Sequence, residues 1–245
     1  MTSGRPFDPT GFFPRAGTEL SPHLTTVPAG TELWRVHKSK YAPDEFNDRL
    51  ADIHFGGGRF EGTVLDPYHY LYLAATPLTA LAESLLRSVP YGGDGVREVG
   101  YAAAEGRALS CLRSRCDLVL VPLLTGADLA AVRCQETLLD DERNYAVSRR
   151  WSSEIRAQEP RAQGLLWDSR RNRRDDVMVL YRDRVGQGAD GPLEAVPERS
   201  VPDLGSPEGL ARANEVLAPL RARVSVPATW TGQRTGQGAD QGTGQ

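Results

Sequence analysis

Residues 56–85 read GGGRFEGTVLDPYHYLYLAATPLTALAESL, and within them one structural period gives way to another. YHYLYLA (68–74) alternates aromatic and aliphatic side chains, the composition of a strand that packs on both faces. Thr76-Pro77 then supplies a helix N-cap and the ring that favours the first helical position. Leu78, Leu81, Ala82 and Leu85 follow at i, i+3, i+4 and i+7, an apolar stripe along one helix face. At about 100° per residue, Glu83 falls roughly 140° from Leu78, on the rim of that stripe. At the other end, the triple glycine at 56–58 reads as a turn needing positive φ or as a place of close backbone approach. Arg59 follows it directly, and a guanidinium offers phosphate a bidentate fork. A strand-to-helix unit presenting an arginine and a carboxylate suits an anionic ligand; it equally suits an ordinary βα unit with a surface ion pair.

Upstream, residues 1–30 are rich in Pro, Gly and Thr and read as an irregular arm, pinned by Phe12 and Phe13. TELWRVH (31–37) alternates as a strand, with Leu33 and Arg35 on one face and Trp34 and Val36 on the other. Downstream, RALSCLR and DLVLVPLL are strands, the second apolar enough to be buried on both faces. Thr125-Gly-Ala-Asp128 is a capping box opening a short helix. A longer helix covers 142–159, with Val147, Trp151 and Ile155 spaced by four and Pro160 closing it. GLLWDS and VMVLYRDRV close the core as strands around the polar bend SRRNRRDD. Strands and helices mix without regular βαβα alternation, so the fold class is α+β. After Val185 the composition shifts: a C-terminal extension of 186–245 carries one amphipathic helix at about 207–224 and ends in a Gly/Gln/Thr tail too poor in apolar residues to order itself.

The 245 residues suit one core of ordinary size, and 40% hydrophobic with 25% charged residues are the proportions of a soluble globular chain. A net charge of −3 argues against a general binder of nucleic acid or acidic membrane. No apolar run approaches a membrane span and the N-terminus lacks a secretory core, which points to the cytoplasm. Of 29 basic residues 27 are arginine, a bias that GC-rich coding produces as readily as an anion site does. Three cysteines fit reduced thiols in a cytosol, and neither they nor the four histidines have metal-ligand spacing, so no metal is expected.

Taken singly, each polar candidate has an ordinary structural role open to it. Arg35 fits a sheet-face ion pair, Tyr72 a core ring, Glu83 a solvated helix position and Ser169 a turn. Walker A, GxSxG and GxGxxG patterns are absent.

Taken in order, Arg35 in LWRVH, Gly58-Arg59-Phe60, Tyr72-Leu-Ala, Ala82-Glu83 and Ser169 in GLLWDSRR resemble the RES domain, named for its Arg, Glu and Ser. The resemblance covers about residues 31–185, including the closing strand VMVLYRDRV. It implies an ADP-ribosyltransferase-like α+β core, a mixed sheet with flanking helices around a cleft for NAD. It further implies that NAD is a substrate and that no prosthetic group is held. The activity implied is cleavage of the nicotinamide–ribose bond with water or phosphate as acceptor, by the toxin of a bacterial toxin–antitoxin pair whose partner carries an Xre-type helix-turn-helix. In this scheme Glu83, Arg59 and Ser169 are the catalytic residues; Arg35, Gly58, Arg59, Tyr72 and Ser169 contact NAD. Arg35 and Arg59 take the pyrophosphate or an acceptor phosphate, Tyr72 flanks the nicotinamide, Glu83 stabilises the developing ribose cation, and Ser169 bonds the ribose or places the acceptor. A protein ADP-ribosyltransferase and a catalytically inactive interaction module are the alternatives, and a homo-oligomer is left open. The segment 89–141 is long for the family, which leaves the antitoxin interface more open than the cleft.

Overall fold

The computed structural model describes residues 18–135, 137–140, 145–186, 191–227 and 230. In chain order the elements are β1 (Thr25–Val27), β2 (Glu32–Lys38), β3 (Tyr70–Ala74), α1 (Pro77–Leu85), β4 (Arg97–Val99), β5 (Arg107–Ser114), β6 (Leu118–Leu123), α2 (Gly126–Ala131), α3 (Thr137–Asp140), α4 (Tyr145–Gln158), β7 (Gly164–Asp168), β8 (Asp176–Tyr181), β9 (Leu193–Ala195), α5 (Pro207–Leu217) and β10 (Ala222–Val224). Eight strands form one sheet in the order β1-β6-β7-β8-β3-β2-β5-β9, and β10 pairs with β4 in a separate ribbon. Only β6 and β7 run parallel within the large sheet. This is the mixed α+β architecture that the sequence pattern implies.

Alternation along the strands sorts the apolar residues onto two faces. Tyr70, Ala74, Val177, Val179 and Trp34 face the main core, where Leu81, Ala82 and Leu85 of α1 and Val147, Trp151 and Ile155 of α4 pack on them. Leu33, Leu71, Leu73, Leu112, Met178 and Leu180 face the other way into a second cluster built from strand residues and Val185. That face has no helix over it among the described residues, so the sheet curls and buries its own leucines.

The local signals hold at the helix ends. Thr76 caps α1 by accepting from Thr79 N, and Pro77 occupies its first turn. Thr125 and Asp128 form the reciprocal capping box at α2. Of the helix expected at 142–159, Tyr145–Gln158 is helical, and 142–144 lie outside the described residues. The composition shift after Val185 does not end the ordered sheet: β9 pairs with β5, and α5 buries Leu210, Ala213 and Leu217 against the main core. Phe12, Phe13 and the Gly/Gln/Thr tail from 231 onward lie outside the described residues.

One register positions the site. β2 pairs with β5 over seven consecutive residues, and β3 with β8 over five. Between β2 and β3 the ladder has a single pair, Trp34↔Ala74. Beyond it the strands part, and Asn47 takes the place beside Tyr70, exchanging both backbone bonds at 2.8 and 3.0 Å. A gap thus opens in the middle of the sheet, under α1.

Candidate functional site

A cavity of about 330 Å³ fills this gap. Its walls take Trp34 and Val36 from one face of the sheet, and Arg35 and Leu73 from the other, an arrangement that only parted strands allow. Tyr72, Ala74, Trp167 and Val177 complete the strand side. Ala80, Glu83, Ser84 and Arg87 come from α1 and the residues after it, and Gly57, Gly58, Arg59 and Glu61 from the glycine loop. Tyr145 and Arg170 close the rim. Four arginines against two glutamates give the walls a cationic balance.

Glu83 sits on the helix rim as its angular position predicts, half-buried and facing the cavity. Its Oε1 accepts from Ser169 Oγ at 2.6 Å and, more weakly, from Arg171 N at 3.4 Å. Oε2 has no donor among the described residues. Ser169 itself is 1% exposed and stands behind the cavity wall, not on it. Its oxygen accepts from Arg171 N at 3.1 Å and Asn172 N at 3.0 Å, so both lone pairs are occupied and its proton is directed at Glu83. The turn is stapled to the start of α1: Asp175 accepts from the Thr76 and Thr79 hydroxyls, and Asn172 Nδ2 donates to Thr79 Oγ1 at 2.8 Å. Carboxylate and hydroxyl are therefore held by one rigid junction. The sequence reading has Ser169 bonding the ribose or placing the acceptor; in the structure its hydroxyl donates to Glu83.

Arg59 is 8% exposed. Its Nη2 donates to Leu139 O at 2.8 Å, its Nε has no partner, and its guanidinium lies 5.4 Å from the Tyr145 ring and 5.9 Å from that of Trp167. Burial pushes its pKa below the ordinary value, while Tyr145, Tyr72 and Glu83 pull it back. Arg35 braces the parted strands: its Nη1 donates to Pro43 O at 2.8 Å and Glu45 O at 2.9 Å. Burial brings its pKa down to about 10 despite Asp44 and Glu45 nearby. Tyr72 accepts from Phe60 N at 2.8 Å and keeps its own proton to donate, burial holding the hydroxyl well above its usual range. Its ring meets Trp167 edge-on at 6.2 Å, and Trp167 meets Phe60 at 4.9 Å, forming an aromatic wall.

The glycine loop has two reasons for its glycines. Gly56 and Gly57 adopt φ of +56° and +69°. A Cβ on Gly57 or Gly58 would strike the Glu61 carboxylate, which packs against the loop. From below, the fully buried Arg149 of α4 grips the loop, Nη1 donating to Gly56 O at 2.9 Å and Gly58 O at 3.0 Å, and Nη2 to Asp52 O at 2.8 Å.

Arg149, Tyr145, Trp167, Arg87, Arg170 and Glu61 escaped the sequence reading. Arg87 was within reach only as a nearby cation, four residues after Glu83 and just past the end of α1. Arg149 was not, because nothing local separates a buried arginine on a helix from a solvated one. Among the described residues no three metal-ligating side chains gather, and no helix is long and apolar enough to cross a membrane.

Among known proteins, the model of the RES domain family matches residues 32–202. No curated protein matches the sequence. Among solved structures, the crystal structure of the M. tuberculosis MbcT–MbcA toxin–antitoxin complex contains a chain that superposes with a TM-score of 0.53 at 15% identity, covering 79% of this chain and 92% of that one. At that identity the likeness concerns the fold. The family match takes in β2, the glycine loop, α1, the Ser169 turn and β9, which is to say every wall of the cavity, and the chain belongs to the RES domain family.

Proposed function

We propose that this protein consumes NAD, breaking the nicotinamide–ribose bond with water or phosphate as acceptor, and that it is the toxin of a toxin–antitoxin pair. The observation carrying this reading is Glu83, locked by Ser169, on the wall of a cavity lined by arginines and aromatic rings. The family membership and the likeness to a chain from a toxin–antitoxin complex support it. They also favour an antitoxin partner; its Xre-type helix-turn-helix is carried by the family resemblance alone.

The chemistry asks little covalent work of the protein. The C1′–N1 bond breaks, its electron pair leaves with neutral nicotinamide, and positive charge develops at C1′ as in glycoside hydrolysis. Glu83 Oε2, the oxygen without a donor, meets the ribose and its developing charge, while Oε1 is held by Ser169. Ser169 acts as a positioning residue. Tyr72 and Trp167 give the nicotinamide an aromatic wall, and Arg59 and Arg35 favour the anionic end of the dinucleotide. An oxygen of water or phosphate then bonds to C1′ from the open face, the water losing its proton to solvent or to Glu83.

Glu61, a second carboxylate in the same cavity, favours protein ADP-ribosylation as the second reading, since an additional acid suits a cationic or hydroxyl acceptor. Purified protein incubated with NAD, with and without phosphate, separates the outcomes. ADP-ribose marks hydrolysis, ADP-ribose 1″-phosphate marks phosphorolysis, and labelled protein marks transfer. Glu83→Gln is expected to lower turnover on the order of 10²-fold or more. Unchanged turnover in that variant removes the mechanism.

A further inference from the structure

Breaking the nicotinamide–ribose bond employs one of the cavity's two carboxylates. The other, Glu61, is half-buried and lines the same space from the glycine loop. Its carboxylate lies against Gly57 and Gly58, where a Cβ would collide with it. Among the described residues it has no ion-pair partner. Arg149 feels its charge but spends Nη1 and Nη2 on the carbonyls of Asp52, Gly56 and Gly58. On the sheet side its polar neighbour is Tyr70, 4% exposed. The Tyr70 hydroxyl accepts from Asn47 Nδ2 at 2.8 Å, so its own proton is left to donate, and Glu61 is the carboxylate it faces. Burial, and then the Glu61 charge, hold that hydroxyl above its usual range.

The two acids have different neighbours. Glu83 is bonded by Ser169 and acts on Arg59, whereas Glu61 acts on Tyr70, Tyr72 and Arg149. Glycoside hydrolysis divides its work between two such carboxylates: one meets the cationic sugar, and the other takes the proton of the incoming water. A carboxylate with no cation paired to it is free to accept that proton. We propose that Glu61 is the base for the acceptor, that Tyr70 orients it, and that the acceptor it selects is water. The proposal rests on the NAD-cleavage reading. As the C1′–N1 bond breaks with its electron pair on nicotinamide, a water oxygen bonds to C1′. The water proton passes to Glu61 in place of Glu83 or bulk solvent, and Glu61 later releases it. Phosphate needs no base to attack, and a carboxylate at the acceptor position repels it.

The test incubates the full chain with NAD, alone and with added phosphate or azide, comparing wild type, Glu61→Gln and Tyr70→Phe. Wild type is expected to yield ADP-ribose whether or not either anion is present. Glu61→Gln, isosteric and so expected to keep the wild-type melting temperature, should lower kcat for hydrolysis about 10²-fold with little change in KM. Azide and phosphate, which need no base and are no longer repelled, should restore turnover in that variant as ADP-ribosyl azide and ADP-ribose 1″-phosphate. A purely structural role for Glu61 gives no such rescue. Tyr70→Phe keeps the carboxylate without its orienting hydroxyl and should lose about tenfold or less. Hydrolysis by Glu61→Gln at the wild-type rate, or a fall that neither anion rescues, overturns the assignment while leaving cleavage at Glu83 in place. A phosphate adduct or labelled protein as the main wild-type product overturns water as the acceptor. Absence of NAD turnover in wild type sinks the cleavage reading itself, and the assignment with it.

Discussion

Ser169 Oγ and Glu83 Oε1 stand 2.6 Å apart, and the two backbone amides that fill the Ser169 lone pairs fix which of them donates. The hydroxyl therefore acts on the carboxylate and not on solvent. Ser169→Ala is expected to lower kcat for NAD consumption by about 10- to 100-fold with a smaller change in KM, as for loss of a hydrogen bond to a charged group. Combined with Glu83→Gln it should add little, because the two residues act as a unit. Additive losses in initial-rate measurements would assign Ser169 a separate role.

Arg149 supports the loop that presents Arg59. Replacing it by Met leaves the carbonyls of Asp52, Gly56 and Gly58 without their donor. Such a substitution is expected to cost on the order of 3 kcal/mol, or roughly 10 °C in Tm. Lys at this position recovers only part, since one ammonium lacks the fork that spans three acceptors. Calorimetric melting of the three proteins decides the matter.

The two glycines before Arg59 differ in kind. Gly57→Ala forces a left-handed backbone on a residue with a Cβ and brings that atom to 2.8 Å from the Ala51 Cβ, so a loss of about 2 kcal/mol is expected. Gly58→Ala meets the Glu61 side chain, 2.9 Å from its Cδ, and a flexible side chain swings aside. Its stability should stay within about 1 kcal/mol of wild type, while substrate affinity changes as the carboxylate moves; removing Glu61 as well should restore it. Chemical denaturation alongside KM measurements separates the two cases.

His37 is buried, its Nε2 paired with Ser110 Oγ at 2.8 Å and its Nδ1 with Lys38 O at 3.0 Å. Burial lowers its pKa from the ordinary 6.5, and nearby Arg35 adds to the effect. As pH falls below about 6.5 the unfolded chain takes the proton first, so stability present above that pH declines until the folded pKa is passed. His37→Gln should flatten this slope, measured by urea unfolding at pH 7.5 and pH 5.5; an unchanged slope would place the titration elsewhere.

The strands and both capped helices were legible because their signals are local: the aromatic alternation of 68–74, Thr76-Pro77, and the Thr125/Asp128 box. Arg35, Arg59, Tyr72 and Glu83 line one cavity, and the ordered motifs identified them although no one of them stood out alone. What stayed hidden depends on contacts between distant segments. Arg149 reaches back over ninety residues to the glycine loop, and Trp167 faces Phe60 and Tyr72 only once β7 has paired with β8. The integration of residues past 191 was hidden for the same reason, since a three-residue edge strand has no periodicity to read.

The lone Trp34↔Ala74 pair has a mechanical consequence. The cavity is a crack in a sheet rather than a bowl of loops, stiff along the strands and compliant across them. Its width is set where the backbone spends fewest hydrogen bonds. Opening by an ångström disturbs one ladder rung and the Arg35 brace, leaving the seven-residue and five-residue ladders on either side intact.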